Sequence, residues 1–206
     1  YIEVPRKNGK STICACLSLY LLFADNEQGA EVYCVASTRE QAGLVYQPAR
    51  EMVRRHDLLS KNSKIHDGVQ RIVYDRTASF LRPIAADEQS SQGFNTHGAV
   101  FDELHVQKKR DLWDVMLTST GARRQPLIVA ITTAGYDRSS ICWELHNYAI
   151  GVRDGTIKDE TFYPVIFAAG EKDDWTSEAT WEKANPNLDV SISREYLRTE
   201  CEKAKQ

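Results

Sequence analysis

The chain has 206 residues, 42% hydrophobic and 27% charged, with a formal net charge of −3. That is enough for one well-packed α/β domain with a small appendage. The balance excludes nucleic-acid recognition by bulk positive charge, and no apolar stretch is long and uncharged enough to span a bilayer.

Ile2 and Val4 read as the end of a strand near 1–5, and Pro5-Arg6-Lys7-Asn8-Gly9 as a turn. Lys10 to Phe23 is rich in Ala and Leu without Gly or Pro, so a buried helix is expected near 10–24. Strand, loop, helix is the setting of a phosphate-binding loop. Gly9-Lys10-Ser11 would then place an ammonium on the β- and γ-phosphates and a hydroxyl on Mg²⁺. The helix start adds unpaired N–H groups and a positive dipole end. Arg6 and Lys7 supply further cations, and the candidate binding segment is Arg6, Lys7, Asn8, Gly9, Lys10, Ser11 and Thr12. Val4 stands where the usual pattern has its first glycine, and a surface turn with a solvated lysine would use the same residues.

Further strands are expected near 31–37, 71–75, 79–84, 98–103, 126–133 and 162–168. Helices are expected near 38–57, 109–119, 139–153, 176–184 and 193–205. Thr38 with Gln41 has capping-box spacing, and Asp75-Arg76-Thr77 reads as a hairpin turn. Alternating strands and helices predict a mostly parallel sheet covered on both faces. After Gly170 the chain turns polar, which divides it into a core, 1–170, and a lid or linker, 171–206. Five cysteines without zinc spacing read as buried thiols, and four tryptophans as packing residues. The clusters Arg50/Arg54/Arg55, Lys108-Lys109-Arg110 and Arg123-Arg124 read as solvated helix faces or ends.

The run His97-Gly-Ala-Val-Phe-Asp-Glu103 is apolar and ends in two acids. A buried parallel strand has this character, and its carboxyl end is where α/β sheets bind ligands. Asp102 is expected to hold Mg²⁺, through water, and Glu103 to orient and polarise a water. A water-activating carboxylate suits a hydrolase better than a small-molecule kinase. A strand end with two solvated acids is the alternative, which the position of the pair downstream of Lys10 disfavours. Thr132-Thr133-Ala134-Gly135 closes the next β-branched strand and would lie near the γ-phosphate as a coupling segment, or simply end a core strand. His105, just past Glu103, suits a positioning role.

Taken together, Arg6-Lys7-Asn8-Gly9-Lys10-Ser11, Asp102-Glu103-Leu104-His105, Thr132-Thr133-Ala134-Gly135, Asp173-Asp174-Trp175 and Asn185-Pro186-Asn187 resemble the ATPase domain of the terminase large subunit of tailed bacteriophages. The resemblance implies an α/β P-loop NTPase of the ASCE type with a mostly parallel central sheet and a small C-terminal lid. It implies ATP and Mg²⁺ as cofactors, and hydrolysis that drives double-stranded DNA into a procapsid. It also implies a homo-oligomeric ring, the portal protein and small terminase subunit as partners, no membrane, and the host bacterial cytoplasm. Family members carry an upstream adenine-contacting glutamine region and a downstream nuclease domain. Neither lies within these residues, so the chain reads as an excised domain.

Related terminases place a catalytic arginine before the acidic pair, where Ser90-Ser91-Gln92-Gly93-Phe94 offers none. Arg138, on the loop opened by Gly135, is the expected arginine acting in trans, a solvated loop arginine being the alternative, with Arg6 a further member of the catalytic set. Arg123 and Arg124 belong at the opposite edge of the sheet. A helicase-like ATPase would need motifs of a second domain. A non-hydrolysing assembly module with a degenerate loop is opposed by intact Lys10, Ser11, Asp102 and Glu103.

Overall fold

The computed structural model describes residues 1–85, 93–107, 110–135 and 137–205. Ser90 to Gln92 of the loop before the acidic pair, and Lys108-Lys109 of one basic cluster, lie outside them. In chain order the elements are β1 (Ile2–Glu3), α1 (Lys10–Phe23), β2 (Glu31–Ala36), α2 (Arg39–Arg55), α3 (Asp57–Lys61), β3 (Ser63–His66) and β4 (Arg71–Tyr74). There follow β5 (Ser79–Ala85), β6 (Thr96–Asp102), α4 (Asp111–Thr118), β7 (Leu127–Thr132), α5 (Ile141–Arg153), β8 (Val165–Ile166), α6 (Glu178–Ala184) and α7 (Arg194–Ala204).

Among the described residues the strands form one sheet in the order β3-β4-β5-β2-β6-β7-β1-β8. From β5 to β8 every pairing is parallel, and β3 and β4 extend the sheet antiparallel. The period of two along a strand sorts side chains between two cores. Val32 and Cys34 of β2 join Val100, Ile131 and the buried faces of α1 and α2 in one core. Tyr33 and Val35 join Phe101, Ala130, Leu112 and Met116 of α4, and Ile141 and Ala149 of α5 in the other. Helices therefore cover both faces, as the alternation of elements predicted.

Several boundaries differ from expectation for identifiable reasons. The helix expected over 38–57 ends at Arg55, because His56 is extended (φ −108°, ψ 111°), and α3 restarts after it. The strand β3 was not expected; its four residues alternate only between half-buried and exposed and carry little apolar signal. The strands expected over 1–5 and 162–168 shrink to two paired residues each. Thr38 Oγ1 does accept from Gln41 N (3.3 Å), but the Gln41 side chain pairs with Ser37 Oγ, so the capping box is half made. Cys16 and Trp175 are exposed, against the packing role expected of their residue types, whereas the other cysteines are buried and Trp113 packs on Phe101.

Candidate functional site

Three parallel strands bring the predicted residues to one edge. β7 lies between β1 and β6, with Glu3 opposite Thr132 and Asp102 opposite Ile131. The loop after β1, the acids after β6 and the threonines after β7 thus share the carboxyl end of the sheet. Val4 N donates to Thr132 O (3.1 Å), which holds the start of the loop against β7.

The loop turns on two left-handed residues, Lys7 (φ 68°) and Gly9 (φ 77°). Gly9 is the N-cap of α1, and no side chain caps that helix nor any acid occupies its first turn. The helix start therefore keeps its positive end available to an anion. Lys10 is 7% exposed; its Nζ lies 3.4 Å from Val4 O and 3.5 Å from Glu103 Oε1. Ser11 Oγ donates to Asp102 Oδ2 (3.3 Å) across 91 positions of sequence. Arg6, Lys7, Gly9, Lys10, Ser11, Thr12 and Glu103 line an open cleft of about 390 Å³.

The acids are placed differently from one another. Asp102 ends β6, is buried, and accepts from Glu103 N (3.0 Å). Burial first, and the neighbouring Glu103 charge second, push its carboxyl pKa up. Glu103 leaves the strand in the left-handed region (φ 50°, ψ 52°), which a non-glycine residue adopts at a cost of about 1–3 kcal/mol. Its Oε2 is buried without a hydrogen-bond partner, although His105 Nδ1 stands 3.1 Å away. His105 Nδ1 is also 3.0 Å from Thr132 Oγ1, while His105 N donates to that same oxygen (3.2 Å). Thr132 Oγ1 spends its own proton on Thr133 O (2.8 Å), so the hydrogen between it and the imidazole belongs to Nδ1. His105 is thus bonded to the end of β7 and stands beside Glu103, a placement visible in sequence only as proximity to the acidic pair.

Not every expected residue joins the cleft. Ala134 and Gly135 open instead onto a separate cavity of about 180 Å³, lined also by Glu3, Cys142 and His146. There Glu3 accepts from Tyr1 Oη (2.7 Å) and pairs with His146 Nδ1 (2.8 Å). Arg138 is exposed beyond β7, its guanidinium carbon 5.3 Å from the centre of the Trp143 ring, and is not part of the cleft lining. Arg123 bonds to the carbonyls of Gln28, Gly29 and Asn95 at the amino ends of β2 and β6, the edge expected for it. The Asn8 side chain, expected with the rest of its segment, is buried and bonded to Asn185. Among the described residues no group of three or more His, Cys, Asp and Glu could hold a metal ion, and no helix is long and apolar enough to cross a membrane.

Relatives resemble the chain to different extents. The chain is 40% identical over 117 residues to Protein YmfN of Escherichia coli (strain K12), covering 57% of this chain and 26% of that protein. It is 24% identical over 207 residues to the large terminase subunit of Enterobacteria phage HK97, covering 98% of this chain and 40% of that one. The chain therefore spans well under half the length of these relatives. The crystal structure of the HK97 bacteriophage large terminase superposes with a TM-score of 0.86 at 23% identity, over 99% of this chain and 42% of its own. The ATPase domain of the Thermus phage P74-26 large terminase gives a TM-score of 0.59 at 19% identity, over 77% of this chain and 66% of its own. The sequence model of the family described as terminase large subunit, ATPase domain, matches residues 1–151. With the fold and the family signature in agreement, the chain belongs to the terminase large subunit ATPase domain family.

Proposed function

We propose that the cleft binds ATP with Mg²⁺ and hydrolyses it to drive double-stranded viral DNA into a procapsid. The supporting observation is the convergence of Ser11 on Asp102 (3.3 Å) and of Lys10 on Glu103 (3.5 Å) at the start of an uncapped helix. The donor set suits Mg²⁺: a hydroxyl and a carboxylate, both hard oxygen ligands, with an orphaned Glu103 oxygen beside them. Ser11 and Asp102 would hold the ion, which when bound supplies charge neutralisation at the phosphates.

In this reading Lys10 exchanges Glu103 for the β- and γ-phosphates, and the start of α1, with Arg6, Lys7 and Thr12, holds the rest of the polyphosphate. Freed from Lys10, Glu103 orients a water for in-line attack and takes its proton. Thr132 and Thr133 report the change through His105, with Ala134 and Gly135 carrying it onward. Arg138 acts on the site of a neighbouring copy in a ring, working with the portal protein and small terminase subunit. Residues 1–170 form the core and 171–206 the lid.

Glu103→Gln in the full-length protein is the test, with and without linear DNA. The neutral amide still fills the space and releases Lys10, so nucleotide binding should persist while turnover falls by about 10²–10⁴-fold. Equal turnover by the two proteins would defeat the assignment of Glu103.

A further inference from the structure

Asn8 sits in the middle of the phosphate loop, yet its side chain faces away from the cleft. It is 2% exposed, and both polar atoms of its side chain are bonded. Nδ2 donates to Asn185 Oδ1 (2.9 Å), and to Pro5 O (3.2 Å) and Arg6 O (3.3 Å). Oδ1 accepts from Asn187 N (3.0 Å). Asn185 is fixed in turn, because its Nδ2 donates to Trp181 O (2.9 Å) at the end of α6.

The residues on either side of Asn8 touch the same distant segment. Ser191 Oγ donates to Lys7 O, and a Cβ on Gly9 would lie 3.4 Å from Asn187 Nδ2. One side of this loop therefore lines the cleft, and the other is bound to residues 185–191. Between the two there is only the thickness of the backbone. A buried, fully bonded amide network of this kind resists partial opening, because each group left unpaired costs about 1–3 kcal/mol. The loop and the segment have to move together, or the network has to break as a unit.

We infer that Asn8 is a positioning residue that couples the polyphosphate cleft to the segment 185–191, so that nucleotide at the loop is felt in the lid. The inference rests on the reading of the cleft as a nucleotide site. Coupling is reciprocal: if nucleotide tightens the attachment of the segment, detaching the segment weakens nucleotide by the same factor.

The experiment uses the full-length protein and a non-hydrolysable ATP analogue with Mg²⁺. Amide exchange at 187–191 and the affinity for the analogue are measured for wild type, Asn8→Ala, Asn185→Ala, the double variant and Asn185→Asp. In wild type the analogue should slow exchange at 187–191 by about fivefold or more. Either alanine variant should abolish that response and weaken the analogue by a similar factor. The double variant should be no worse than the singles, because both cut one link. Asn185→Asp keeps the acceptor for Asn8 Nδ2 but sets a carboxylate oxygen against Trp181 O, so it should lose the response as the alanine variants do while exchange in β2 and β6 stays unchanged, which a loss of general stability would not explain. Asn185→Ala lies outside the loop and serves if Asn8→Ala does not fold. An unchanged response in folded alanine variants, or additive losses of affinity, overturns the coupling. Wild type that binds the analogue without any change at 187–191 also overturns it and leaves the nucleotide reading standing; wild type that does not bind overturns both.

Discussion

Glu103 and His105 show how much chemistry one turn of chain can concentrate. Glu103 pays for a left-handed backbone, and its two carboxylate oxygens face different partners, Lys10 on one side and His105 on the other. Burial lowers the His105 pKa below its usual 6.5, and Arg6 and Lys10 lower it further, against the pull of Glu103. The imidazole is then neutral at pH 7 and can give Nδ1–H to Thr132 or Glu103 without adding charge. A histidine whose folded pKa is depressed contributes stability above 6.5, and loses it as pH falls through the folded value, because the unfolded chain takes the proton first. Denaturant melts between pH 7 and 5 should therefore fall less steeply for His105→Gln than for wild type. Identical pH dependence would exclude His105 as a source of the acid loss. Lys10, Ser11, Asp102 and Glu103 were legible in sequence because each sits in a local pattern with its own strand or helix. The Asn8–Asn185 pair was not, since contacts 177 positions apart leave no periodic trace.

At the scale of elements, the sheet was readable where strands are buried on both faces and poorly readable at its edges. β6 is buried at all seven positions and stood out as an apolar run, and β2, buried at five of its six, carries Val32, Tyr33 and Val35. β3 and β8 pair on one side only; β3 has little apolar signal and was not expected, whereas the apolar stretch around β8 was expected as a longer strand than the two residues that pair. The packing of α1 onto β6 is what sets the phosphate loop over the acids, and Gly98 marks the closest approach. A Cβ there would lie 2.6 Å from Leu21 Cδ1 and 3.4 Å from Val32 Cγ1, both in the buried core under α1. Gly98→Ala should destabilise the fold by about 1–3 kcal/mol, as overpacking does. It should also weaken nucleotide binding, because α1 cannot shift without carrying Lys10 and Ser11. Gly121→Ala, where an added Cβ meets nothing within 4 Å, is the comparison in the same denaturation experiment. Equal stability of the two variants would show that Leu21 yields without disturbing the helix. A smaller effect belongs to Thr38: removing its cap on Gln41 N by Thr38→Ala should cost about 1 kcal/mol and leave nucleotide affinity alone.

For the whole molecule, the decisive fact is that β7 separates β1 from β6, so one sheet edge carries the loop, the acids and the threonines together. Arg138 follows the same strand end, but it rests on Trp143, which lines a second cavity, and not in the cleft. It is exposed and absent from the lining of its own cleft, which is why the proposal gives it to a neighbouring copy. That separation makes the proposed ring testable without knowing its size. Glu103→Gln removes the proposed base and keeps the arginine; Arg138→Ala removes the arginine and keeps the proposed base. In a heterologous ring each interface joins the cleft of one copy to the arginine of the next. Equal mixing of two inactive full-length variants would then rebuild roughly a quarter of the interfaces with both groups intact. Turnover should return on mixing and be absent from either variant alone. If Arg138→Ala alone keeps full turnover, Arg138 has no part in the reaction. If both variants are inactive and mixing before assembly restores nothing, the arginine serves its own chain.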